Sequence, residues 1–163
     1  MKIFLYLILA VFLLSIAVTP LVEVFLAGRD RLVLSSTLHN SSRAAREASY
    51  AYLAMRDIDA VADEETFLRY FAETFAASYG MGCKNPAANP LKFVSPDGAY
   101  NDFDVFVAFQ TEYGDGGAIL TTVTVTAESE YRFRTAYMRL IGYGDTHPYM
   151  LRGTNTYTMR VTN

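Results

Sequence analysis

Four hydrophobic patterns follow one another along the chain. From Ile3 to Ala27 apolar residues run without a period, and Glu23 is the only strongly polar side chain among them. A helix rises ~1.5 Å per residue, so ~20 apolar residues cross the ~30 Å hydrocarbon layer of a bilayer. Ile3 to Val22 has that length before any charge appears. Pro20 lacks a backbone donor and is expected to kink this helix or mark a weak turn. From Gly28 to about Asp57 the spacing becomes helical: Leu34, Leu38, Ala45, Ala48, Tyr52 and Met55 recur at threes, fours and sevens. Ala44, Ala45, Ala48, Ala51 and Ala54 make that stretch smooth and helix-favouring. The two stretches together read as one rod whose distal half packs on its own domain and whose proximal half is bare.

A second helix is expected over 63–79. Asp63 suits an N-cap, Glu64 and Glu65 suit the positive end of the helix dipole, and Gly80 suits a left-handed stop. Phe67, Leu68, Phe71, Phe75 and Tyr79 form its apolar face, read as core. Residues 81–101 are an irregular connector rich in Pro, Asn and Gly, with room for a short strand at Leu91–Val94.

The period then becomes two. Phe103, Val105, Val107 and Phe109 alternate with Asp104, Phe106, Ala108 and Gln110. A turn at Gly114–Gly117 leads to Ile119, Thr121, Val123 and Val125, which predicts a hairpin. Tyr131, Phe133, Thr135 and Tyr137 suggest a third strand, Gly142 to Pro148 a loop, and Tyr157, Met159 and Val161 a last strand. The fold class is α+β: an N-terminal transmembrane helix continuing into a long amphipathic helix, a second helix, then a small antiparallel β-sheet. The division is a membrane anchor over 1–27 and an extracytoplasmic α+β domain over 28–163. Within the domain, 28–57 is a helical rod, 63–79 the second helix and 102–162 the sheet.

Charge refines the first segment. Lys2 before an apolar run also fits a cleaved secretory signal, but the run is long and has no convincing small-x-small cleavage site, which favours a retained anchor. Glu23 lies either at the outer headgroup level near Arg29 and Arg31, or against a positive group of a neighbouring subunit within the membrane. Arg29, Arg31, Arg43 and Arg46 follow the span, a bias that by itself would hold the domain in the cytoplasm. A short tail before a signal-like segment points the other way, and the expected location is outside the cytoplasm, at the cell surface or in the periplasm. The net charge of −3, with both signs interspersed, leaves no basic footprint for nucleic acid. Cys83 is the single cysteine, so no intrachain disulfide exists.

Patterns that carry chemistry do not assemble. His39 and His147 are the only histidines, and neither is spaced with Cys83 as a ligand pair. Asp97, Asp102 and Asp104 lack the spacing of an EF-hand loop and its closing glutamate. Gly142-Tyr143-Gly144-Asp145 spells the GxGD of some intramembrane aspartyl proteases but falls in a polar loop. Phosphate-binding glycine loops, GxSxG and HExxH are absent from the sequence. The expectation is a protein that is not an enzyme and uses neither cofactor nor metal.

The anchor followed by RLVLSSTLHNSSRAAREASYAYLAM, with the Thr-rich strands ILTTVTVTAESEYRF and NTYTMRVT, resembles a type IV pilin or pseudopilin. Within that superfamily it is most similar to the TadE-like minor pilins of tight-adherence (Tad) pili. The pattern departs from a prepilin's, and no Gly or Ala directly precedes the one cut that would suit Glu23. Cleavage after Val18 would make Glu23 the fifth residue, yet leave only a short apolar stretch before Arg29, so Glu23 is not equated with the pilin glutamate. The resemblance implies a non-enzymatic subunit taking part in assembly of a pilus or related secretion machine. Its partners would be other pilin-like subunits, the assembly platform and the lipid bilayer, in a homo- or hetero-oligomer. Lateral contacts are expected at Pro20, Glu23, Leu34, Leu38, Ala44, Ala45 and Ala48. An extracytoplasmic ligand-binding or sensory domain acting through a partner protein is the alternative.

Overall fold

A computed structural model describes residues 2–54, 63–86, 88–96, 101–113, 119–131, 133 and 149–160. Helix α1 (Lys2–Ala54) is a single 53-residue element that passes through Pro20 without interruption. Helix α2 (Glu64–Tyr79) follows, then strands β1 (Gly82–Cys83), β2 (Leu91–Val94), β3 (Phe103–Tyr113), β4 (Ile119–Tyr131) and β5 (Tyr149–Arg160). The strands form one antiparallel sheet in sequence order. The α+β layout is therefore as read, but the sheet begins earlier, with the two-residue β1 and with β2. Tyr131 ends the long β4, so a separate third strand does not begin there. Positions 134–140 and the loop at 142–148 lie outside the described residues.

Both ends of α2 follow from local chemistry. Asp63 accepts hydrogen bonds from the Thr66 backbone N–H (3.3 Å) and hydroxyl (2.6 Å), filling one of the donors a helix start leaves open. Gly80 has φ of 63°, and its N–H returns to the Ala76 carbonyl. Along the helix Phe67, Phe71, Phe75 and Tyr79 stack at four-residue steps, with ring centroids 6.3, 5.6 and 5.3 Å apart. Phe75 meets Phe93 of β2 at 4.6 Å and Phe103 of β3 at 5.8 Å, while Phe67 meets Phe109 edge-on at 5.5 Å. These rings, with Val105, Val107, Val123, Val125 and Leu151, form the core between the helices and one face of the sheet.

Strand alternation sends the other residues to the opposite face. There Thr122, Thr124 and Thr126 of β4 meet Thr158, Thr156 and Thr154 of β5, hydroxyl to hydroxyl at 3.3–3.4 Å. Such cross-strand pairs hold register and suit a solvated surface. Arg152 pairs with Glu128 and Lys92 with Asp104, each directly across the ladder. Beyond the end of β2, the side-chain amide of Asn89 takes over the role of a strand. It donates to the Val107 carbonyl at 2.6 Å and accepts from the Val107 N–H at 3.1 Å.

Candidate functional site

Helix α1 divides by environment rather than by backbone. Every described side chain from Lys2 to Val18 is exposed, Thr19 and Pro20 are half-covered, and Glu23 is 2% exposed. Those 17 bare residues measure ~25 Å along the axis and lie within the range that spans a bilayer. The helix is long and apolar enough to cross a membrane.

Above Glu23 a single stripe is buried: Ala27, Leu34, Thr37, Leu38, Ser41, Ser42, Ala45 and Ser49. Steps of three, four and seven keep these residues on one side of the helix. Against them lie α2 and β5. The approach to β5 is close at Gly153, where an added Cβ would stand 2.7 Å from Leu38 Cδ1 and 3.3 Å from Leu34 Cγ. A glycine at this place in the strand lets the helix settle on the sheet. Ser49 returns its hydroxyl to the Ala45 carbonyl at 2.6 Å, which makes a buried serine inexpensive there.

The expected contact residues are thereby sorted. Leu34, Leu38 and Ala45 are fully buried within the chain's own core, so they are packing residues and cannot face another subunit. Ala44 and Ala48 are half-buried beside them, and Pro20 is half-buried at the junction. Glu23 is covered by its own chain and is not without a partner there. A side chain so covered by its own chain does not present its carboxylate to a neighbouring subunit. Arg29 pairs instead with Asp30 at 3.4 Å.

The opposite side of α1 carries a second line of residues, outside the apolar stripe read over 28–57. At ~100° per residue, Leu21, Phe25, Gly28 and Leu32 fall on one line facing away from the buried stripe. Leu21, Phe25 and Leu32 are 72, 74 and 73% exposed, and nothing lies within 4 Å of a Cβ built at Gly28. The line was legible in the sequence as an apolar i, i+4, i+7, i+11 series that continues past the span. About three turns beyond Leu32, Arg43 and Glu47 pair at 2.8 Å, and each holds the other's charged form, the arginine raised and the carboxylate lowered.

Cys83, in β1 opposite Phe93, is half-buried, and burial pushes its thiol above the ordinary range, which disfavours the thiolate a nucleophile needs. Asp104 of the acidic loop is a strand residue paired with Lys92, while Asp97 and the 142–145 segment lie outside the described residues. Comparison with family models, curated proteins and solved structures finds no match to this chain.

Proposed function

We propose that this protein is a non-enzymatic, pilin-like membrane subunit, resembling the TadE-like minor pilins. Its α+β domain is carried outside the cytoplasm on an uncleaved helical anchor, and it joins a pilus or secretion assembly by lateral helix contact. One observation carries most of the weight: a single helix is bare over its most apolar 17 residues and packed over its more polar remainder. Each large apolar side chain left in water forgoes ~1.5–3 kcal/mol, so this distribution is favourable only if something other than water covers the bare half.

The line Leu21, Phe25, Gly28 and Leu32 supplies the lateral surface. It continues the apolar span past the level of Glu23 into the domain's flank, and Gly28 permits close approach of a second helix. Site-directed cysteines in a Cys83→Ser background test this in native membranes. Phe25→Cys and Leu32→Cys are expected to form intersubunit disulfides, while Leu34→Cys and Leu38→Cys stay monomeric. Monomers at all four positions would remove the assembly reading.

A further inference from the structure

Between α1 and β5, on the membrane-distal part of the packed half, lies a cleft of about 270 Å3 lined by His39, Ser42, Arg43, Arg46, Asn155 and Tyr157. Its lining is rich in hydrogen-bond donors and contains no carboxylate among the described residues. Arg43 pairs with Glu47, whereas Arg46 is not within ion-pairing distance of a described carboxylate, and its charge acts on both Glu47 and the Tyr157 phenol. Two hydroxyls of the lining, those of Ser42 and Tyr157, are buried without a hydrogen-bond partner among the described residues. Ser42 itself is only 1% exposed.

An orphaned buried hydroxyl costs stability unless a partner meets it. Serines inside helices ordinarily return their proton to a carbonyl one turn back, as Ser49 does to Ala45. Ser42, on the same side of the same helix, makes no such bond. Burial also raises the Tyr157 phenol above its ordinary range, so it stays protonated and serves as a donor.

From this convergence of donors and positive charge we infer that the cleft is a binding site for the oxyanion of a small molecule, a carboxylate or a phosphate. Arg46 and Arg43 supply charge, the Ser42 and Tyr157 hydroxyls and the Asn155 amide give orientation, and His39 stands at the exposed mouth. On the proposed anchoring, with the bilayer ending near Val18, a lipid headgroup does not reach it. Ser42 lies 24 residues beyond Val18, ~36 Å along the helix axis. The volume admits a body about the size of a monosaccharide behind the anionic group. The site is independent of lateral assembly, because His39 to Arg46 lie above the exposed line of α1 that ends at Leu32.

The test is isothermal titration of the full-length protein in neutral detergent at low salt, with inorganic phosphate, galacturonate and uncharged galactose as probes. Saturable binding of at least one anion and none of galactose is expected, and the preferred anion identifies the source. Arg46→Gln and Ser42→Ala should each weaken that binding about tenfold or more, the loss of one charged or buried hydrogen bond. Ser42→Ala should do so without lowering the thermal midpoint, since it removes an unpartnered hydroxyl, and this separates lost binding from lost folding. Absence of binding by both anions would overturn the inference. So would binding that is equal in Arg46→Gln, or galactose bound as well as galacturonate.

Discussion

Between Lys2 and Val18, α1 carries leucine, isoleucine, valine and phenylalanine on every side, and the chain covers none of them. Between Glu23 and Ser49 the same helix hides a glutamate, a threonine and three serines along with two leucines and two alanines. In this molecule burial thus runs against hydrophobicity along one continuous element. The packed half gains from small side chains that let α2 and β5 approach, not from a large oily stripe. The bare half gains nothing from its own domain. Two halves sharing one backbone differ in what the chain gives them to pack against, and each is expected to be perturbed without the other.

The largest effect expected from a single change comes from matched truncations on the two sides. Leu38→Ala opens a cavity beneath Gly153 in a closed core and should cost ~2–5 kcal/mol of unfolding free energy. Leu14→Ala, at a position 65% exposed, should leave the domain's denaturation midpoint unchanged. Chemical denaturation of both variants in detergent reads the difference. An equal loss in the two would mean that the halves fold as one unit and would break the distinction.

A smaller effect sharpens it at the point of closest approach. In Gly153→Ala the new methyl meets Leu38 Cδ1 at 2.7 Å and Leu34 Cγ at 3.3 Å. Leu38 can turn its terminal methyl only within a filled core, and the Leu34 branch point cannot retreat. Against this, alanine lowers unfolded-chain entropy, a gain of ~0.4–1 kcal/mol. A net loss of about 1–2 kcal/mol is expected. In a Leu38→Ala background the space exists, and the same substitution should become neutral or stabilising. Such a sign change in a double-mutant cycle is what direct contact requires.

These two sites also show what could be read in advance and what could not. Leu34, Leu38 and Ala45 were visible as a stripe because they are apolar at helical spacing. Thr37, Ser41, Ser42 and Ser49 obey the same spacing but do not read as core in the sequence, since polarity argues for a solvated face. Only the tertiary structure reveals that small hydroxyl residues lie on the buried side of α1. In β5 the inward positions are Leu151, Gly153, Asn155 and Tyr157, and the glycine and asparagine hide the alternation. The strand was therefore read from its second half alone, although it starts at Tyr149. The aromatic face of α2 and its caps were legible throughout, because each depends on residues within one or two turns. The cleft was not, because it joins residues more than a hundred positions apart.

The smallest effect concerns the clasp that keeps α2 over the packed half. Asp63→Ala removes the N-cap and should cost ~1 kcal/mol. The two hydrogen bonds from Thr66 hold the Asp63 carboxyl below its ordinary value of 3.8. A depressed folded value means that the ionised cap stabilises the fold fully above the ordinary value, and that this contribution fades as pH falls through the folded one. Wild type and Asp63→Ala should therefore differ at neutral pH and converge in acid, below 3.8, with the wild type losing its advantage. Amide exchange gives the spatial readout. Loosening α2 should speed exchange in α1 from Leu34 to Ala45, where the chain itself provides the cover. Exchange from Ile3 to Val18 should be unchanged, because α2 covers none of it. Faster exchange in both segments would show that the cap stabilises the whole helix and that the boundary near Glu23 is not a boundary in stability.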